Sequence, residues 1–173
     1  SFWTQPKGQV HITAAKGEAP MAYVEIDSGP YLVLPTKEAF LGQLRPVNVD
    51  RSNLVWLDAS DVSWVDQAGS SAPAGGVQIS FLWGDTKKGQ LRGTMLKLPK
   101  GFMGEIKTEG TEFRAIVVKG GPSYTMDAAE PQTLERGSYF GSTLEPAVHN
   151  ISSEQQETVL YIRSNGKYEV TPG

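Results

Sequence analysis

Cysteine is absent from all 173 residues. Disulfides, thiolate nucleophiles and finger-type structural zinc are therefore excluded together. The absence does not separate an oxidising from a reducing compartment, so cytoplasm and periplasm both stay open. Histidine is nearly absent, present only as His11 and His149. With two imidazoles and no nucleophile-elbow pattern, no Ser-His-Asp set can be assembled. A basic excess is missing as well. The formal net charge is −3 and the lysines are scattered among acids, which argues against a nucleic-acid partner. No apolar run approaches the ~20 residues of a membrane helix, so a soluble chain with no membrane partner is expected. Long amphipathic helical patterns are lacking too. Without a strand–glycine-loop–helix context, Lys119-Gly120-Gly121-Pro122 reads as a turn and not as a phosphate loop. The start, Ser1-Phe2-Trp3-Thr4, has neither an initiator methionine nor a signal-peptide pattern and reads as a cut or processed end.

What the chain does contain is strand signal. Glycine (19) and proline (11) are spread evenly and punctuate short β-rich runs. The runs are Gln9–Thr13, Ala22–Ile26, Tyr31–Leu34, Asn53–Leu57, Val77–Trp83, Gly93–Lys97, Phe113–Val118 and Val159–Ile162. Their spacing predicts an all-β sandwich or barrel. One short helix of a turn or two is expected at Thr36–Gln43, with Thr36 as N-cap and Glu38 in its first turn. The stretch Ser70-Ser71-Ala72-Pro73-Ala74-Gly75-Gly76 reads as a linker or surface loop. Asp58 and Asp61 read as turn formers.

An internal repeat adds to this. His11 is followed twelve residues later by Tyr23, and His149 twelve residues later by Tyr161. Asp27-Ser28-Gly29-Pro30-Tyr31-Leu32-Val33 answers Ser164-Asn165-Gly166-Lys167-Tyr168-Glu169-Val170, and Ser1-Phe2-Trp3 answers Ser138-Tyr139-Phe140. The expectation is one strand–turn–strand unit occurring twice.

Two spaced motifs sharpen the fold expectation. Residues 101–120 run Gly101, five residues, Lys107-Thr108-Glu109, three residues, Phe113, six residues, Gly120. This spacing resembles the first cupin motif, in which His-x-His and a Glu stand at the positions held here by Lys107, Glu109 and Phe113. Pro6-Lys7-Gly8-Gln9-Val10-His11 resembles the second motif cleanly; around His149 the match is looser, with Pro146 where its glycine would stand. The runs Phe81-Leu82-Trp83-Gly84-Asp85, Leu98-Pro99-Lys100-Gly101-Phe102 and Phe113-Arg114-Ala115 look like bicupins of a family without assigned function, domain of unknown function 4437, itself similar to anti-sigma-factor cupins. The resemblance implies an all-β, jelly-roll-like cupin barrel. Residues 1–48 would be the tail of a first cupin repeat plus connector, and 49–173 a complete barrel.

For chemistry the resemblance implies one divalent transition metal (Fe, Mn, Zn or Ni) held by imidazoles and a carboxylate inside the barrel. In this chain two arrangements follow. Glu109 and His149 could ligate, with Glu109 sharing the inward face of Lys107. In the simpler arrangement Lys107 and Glu109 form an ion pair and the barrel holds no cofactor. His11 becomes a metal ligand only with partners from a segment upstream of Ser1. Glu112 and Arg114, beside Phe113, are expected as a pair on the outer face. Tyr139, Phe140, Phe113, Met103 and Tyr124 either line an apolar pocket, with Lys107, Glu109 and His149 as its polar groups, or fill the core. Three functional classes follow: a regulatory or small-molecule-binding barrel, a metal-dependent enzyme of dioxygenase or isomerase type, and a structural barrel forming a homodimer.

Overall fold

The computed structural model describes residues 1–14, 17–26, 29–67, 76–87, 89–127 and 129–173. Two compact units divide the chain, Ser1–Leu54 and Val55–Gly173. Among the described residues no helix is long and apolar enough to cross a membrane.

In the first unit, β1 (Phe2–Thr4) pairs antiparallel with β2 (Val47–Val49), and Thr4 Oγ1 accepts from Val47 N at 3.1 Å. Two single 3₁₀ turns accompany them. Thr36–Glu38 follows Pro35 and has no side-chain cap. Arg51–Asn53 is capped by Asp50, whose carboxylate accepts from Ser52 N at 2.8 Å. The helix expected over Thr36–Gln43 is thus one turn, and Thr36 is not its cap. The strands expected at Gln9–Thr13, Ala22–Ile26 and Tyr31–Leu34 are not strands. A strand needs a paired neighbouring strand, and no such pairing is found for these segments among the described residues. No described residue of this unit is buried.

The second unit carries the core. Its strands are β3 (Leu57–Asp58), β4 (Val65–Gln67), β5 (Gln78–Gly84), β6 (Arg92–Leu98), β7 (Phe102–Thr108), β8 (Glu112–Lys119), β9 (Ser123–Met126), β10 (Gln132–Thr133), β11 (Tyr139–Thr143), β12 (Val148–Ser153), β13 (Thr158–Ser164) and β14 (Tyr168–Pro172). They form two six-stranded sheets, ordered β10-β9-β12-β7-β14-β4 and β11-β8-β13-β6-β5-β3. Every pairing in them is antiparallel except β14 with β4. Crossed connections of this kind make a jelly-roll barrel and leave few open edges.

Period-two alternation decides what lies inside. On β6 the buried residues Thr94, Leu96 and Leu98 alternate with Met95 and Lys97; on β8, Phe113, Ala115 and Val117 face inward and Arg114 faces out. On β7, Phe102, Ile106 and Thr108 are buried while Met103 and Lys107 are exposed. Leu160, Ile162, Tyr168 and Val170 complete the centre of the core.

The repeat therefore has two outcomes. Its second copy is β13, a turn and β14, two strands that lie in different sheets. In the first copy Ala22–Ile26 and Tyr31–Leu34 are not strands, and residues 27–28 between them lie outside the described residues. The segment Ser70–Gly75, read as a linker or loop, also lies outside them.

Candidate functional site

His149 stands on β12 with Ile106 of β7 on one side and Met126 of β9 on the other. It is wholly buried. The Tyr124 hydroxyl meets Nδ1 at 3.0 Å and the Ser142 hydroxyl meets Nε2 at 3.3 Å. A neutral imidazole has one N–H and one lone pair, so one hydroxyl accepts from the ring and the other donates to it.

Three rings enclose the imidazole. Phe113 stacks on it with centroids 5.1 Å apart and 23° between planes, Phe140 is at 5.4 Å, and Tyr124 at 6.0 Å. Burial lowers the His149 pKa to about 4, against a smaller upward pull from Asp127. Burial, and then Asp127, push the Tyr124 phenol up. At neutral pH this is an uncharged polar cluster in an aromatic cage.

The other expected site residues lie elsewhere. Lys107 is exposed on the outer face of β7 and pairs with Glu105 at 3.3 Å, so the ion pair expected with Glu109 is not formed. Glu109 lies past the end of β7 and is exposed. The cause is register. On β7 the inward residues are Ile106 and Thr108, one residue before Lys107 and Glu109. A one-residue slip on a strand turns each side chain to the opposite face.

Thr108 does not offer its oxygen to the interior, since Oγ1 accepts from Ala147 N at 3.0 Å. Phe113 is buried in the core, next to Phe140 and Tyr168. Tyr139 is 67% exposed; its neighbour Phe140 is the one that faces inward. Met103 is likewise exposed. Glu112 and Arg114 pair at 3.5 Å, and Arg163 joins them at 2.6 Å from Glu112. His11 lies in the other unit and is exposed.

The family match settles what frame these residues occupy. A family model described as "Domain of unknown function (DUF4437)" matches residues 1–171. This chain belongs to the DUF4437 family. Among solved structures, an RmlC-like cupin protein from Ralstonia eutropha JMP134 is similar with a TM-score of 0.51 and 16% identity, over 72% of this chain and 71% of that one. DMSP lyase DddQ from Ruegeria pomeroyi DSS-3 gives a TM-score of 0.49 at 15% identity, over 66% of this chain and 57% of that one. A chain from the crystal structures of the DMSP lyases RdDddP and RnDddQII gives 0.45 at 17% identity, over 52% and 47%. The chain thus spans about half the length of the lyase chains it matches. No curated protein matches it. At these identities the likeness concerns fold.

A cupin metal site requires imidazoles and a carboxylate, and this donor set does not fit one. At and beside the motif's first three ligand positions, the inward-facing residues are Ile106, Thr108 and Phe113. The remaining one, His149, has both ring nitrogens engaged by hydroxyls. Among the described residues no three His, Asp or Glu side chains are grouped to hold a metal ion.

Sequence reasoning had Tyr124 among the aromatics but missed Ser142, and it missed Arg92, Thr94 and Tyr168 in the interior. For Arg92 a signal existed. It precedes Thr94, Leu96 and Leu98 at period two, so a charge stands in line with an apolar face.

Proposed function

We propose that this cupin is a metal-free barrel that binds a small polar organic molecule beside His149. The observation that carries this reading is the neutral, doubly hydrogen-bonded imidazole in an aromatic cage. Tyr124 and Ser142 are only partly buried, and each hydroxyl keeps a hydrogen-bonding valence beyond its bond to His149. A few convergent polar groups within apolar surroundings are the usual composition of a small-molecule site. The place among the pocket's polar groups expected of Lys107 has no part in this reading, because that side chain is exposed on β7.

The test has two arms. Elemental analysis of protein purified without chelator should give far less than one Fe, Mn, Zn or Ni per chain. Ligand-observed NMR against small sugars and amides should yield binders whose signals are lost in Tyr124→Phe and Ser142→Ala. Stoichiometric metal that disappears in His149→Ala would overturn the proposal and restore the metalloenzyme reading. So would binding that ignores both hydroxyl variants.

A further inference from the structure

The most deeply enclosed charge in the barrel is Arg92. It opens β6 on the same inward face as Thr94, Leu96 and Leu98, is 1% exposed, and is the largest of the fully buried side chains. A guanidinium has five N–H donors and no acceptor. Among the described residues Arg92 makes one long hydrogen bond, from Nη1 to the Asp85 carbonyl at 3.4 Å, and its enclosed Nε has no partner.

No described carboxylate forms an ion pair with Arg92. Asp85 instead accepts from Lys87 N at 2.9 Å and pairs with Lys87 Nζ at 3.7 Å. Burial accordingly draws the Arg92 pKa down, with Tyr168 and Asp85 opposing. A buried, unpaired cation is strongly disfavoured unless an anion completes it.

Two hydroxyls stand nearby. Thr94 is two residues along the same strand face, about 7 Å away by strand geometry. Its Oγ1 is 3.0 Å from the Tyr168 hydroxyl, which reaches across from the opposite sheet. Tyr168 is completely buried. Burial pushes its phenol well up, while the Thr94 bond and then the Arg92 charge pull it partly back. The phenol stays protonated. Of two hydroxyls bonded to each other only one proton lies between them, so one O–H is left to donate elsewhere. Phe113 stands between this group and the His149 cluster, stacked on His149 and edge-on to Tyr168 with centroids 6.0 Å apart.

We propose that Arg92, with the Tyr168 and Thr94 hydroxyls, is a receptor for one small carboxylate inside the barrel. The planar fork of a guanidinium matches a carboxylate through two parallel N–H···O bonds. One cation with the one free hydroxyl donor of the pair balances one negative charge. A phosphate dianion would leave a net buried charge and is the poorer fit. This site is independent of the reading at His149.

The experiment uses the full chain with formate, acetate and glycolate as probes and inorganic phosphate as the contrast, at constant ionic strength set by chloride. Thermal unfolding and ¹⁵N-¹H NMR titration are the readouts. The monocarboxylates should raise the unfolding temperature saturably and shift amides of β6 and β14. Arg92→Met should lose that response and, without added anion, unfold no lower than the parent. Tyr168→Phe should bind acetate on the order of tenfold more weakly, the effect of one hydrogen bond to a charged group. Tyr124→Phe should bind acetate normally, which separates this site from the one at His149. No saturable response in the parent, an undiminished response in Arg92→Met, or tighter binding of phosphate than of acetate would each overturn the proposal. If Arg92→Met does not fold, unchanged acetate affinity in Tyr168→Phe would do so.

Discussion

His149 is held neutral by burial, and that has a consequence for stability. Its pKa in the folded state is about 4, below the ordinary 6.5. The unfolded chain therefore binds this proton more readily than the folded one, so stability is lost as pH falls from about 6.5 through 4. The size of the effect is on the order of 3 kcal/mol between pH 7 and 4. Urea unfolding at pH 7, 5.5 and 4 should show this decline, and His149→Phe should flatten it. An equal decline in the variant would place the titrating group elsewhere. Lys107 gives the contrasting case. Its pair with Glu105 is about half exposed on both sides, and such pairs contribute less than about 1 kcal/mol. Lys107→Ala should leave the unfolding midpoint nearly unchanged, whereas an inward lysine would make the change costly.

At the scale of elements, the motif's glycines and its ligands have separate physical reasons to persist. Gly101 has φ +85° in the turn before β7, where Phe102 N donates to the Pro99 carbonyl at 3.1 Å. Gly120 has φ +98° at the end of β8, and a Cβ there would come within 2.9 Å of the Glu157 carbonyl oxygen and the Thr158 Cα. Both positions need glycine to turn the chain, whatever the barrel binds. Gly120→Ala should cost on the order of 2 kcal/mol from backbone conformation alone, with steric crowding added. Chemical denaturation would measure it; a neutral result would mean that β8 and β13 can separate freely at that end. The frame was legible in the sequence for this reason. The face each residue takes was not, because Lys107 and Ile106 differ only by one step along β7. That choice depends on which of them packs across from β12 and β14.

For the whole molecule, the decisive contrast is between two stretches of related sequence. His149, Tyr161 and Tyr168 lie in paired strands of a closed core; His11, Tyr23 and Tyr31 lie in segments without strand pairing, although the residues are similar. The contiguous buried core runs from Ala59 to Val170, all within the second unit. A fragment of residues 55–173 should therefore unfold cooperatively near the midpoint of the full chain, and a fragment of residues 1–54 should show no cooperative transition by circular dichroism. A large loss of stability in the longer fragment would mean the first unit supports the barrel. The sequence by itself determined the all-β class, the barrel expectation, several strands and the glycine turns. These rest on local propensity and on backbone conformations that few residues can adopt. Only the tertiary structure decided that Ile106 and Thr108 face inward, that Ser142 and Tyr124 close around His149, and that Arg92 lies unpaired beside Tyr168. Those outcomes depend on strand register and on contacts between the two sheets, which join residues far apart in the chain.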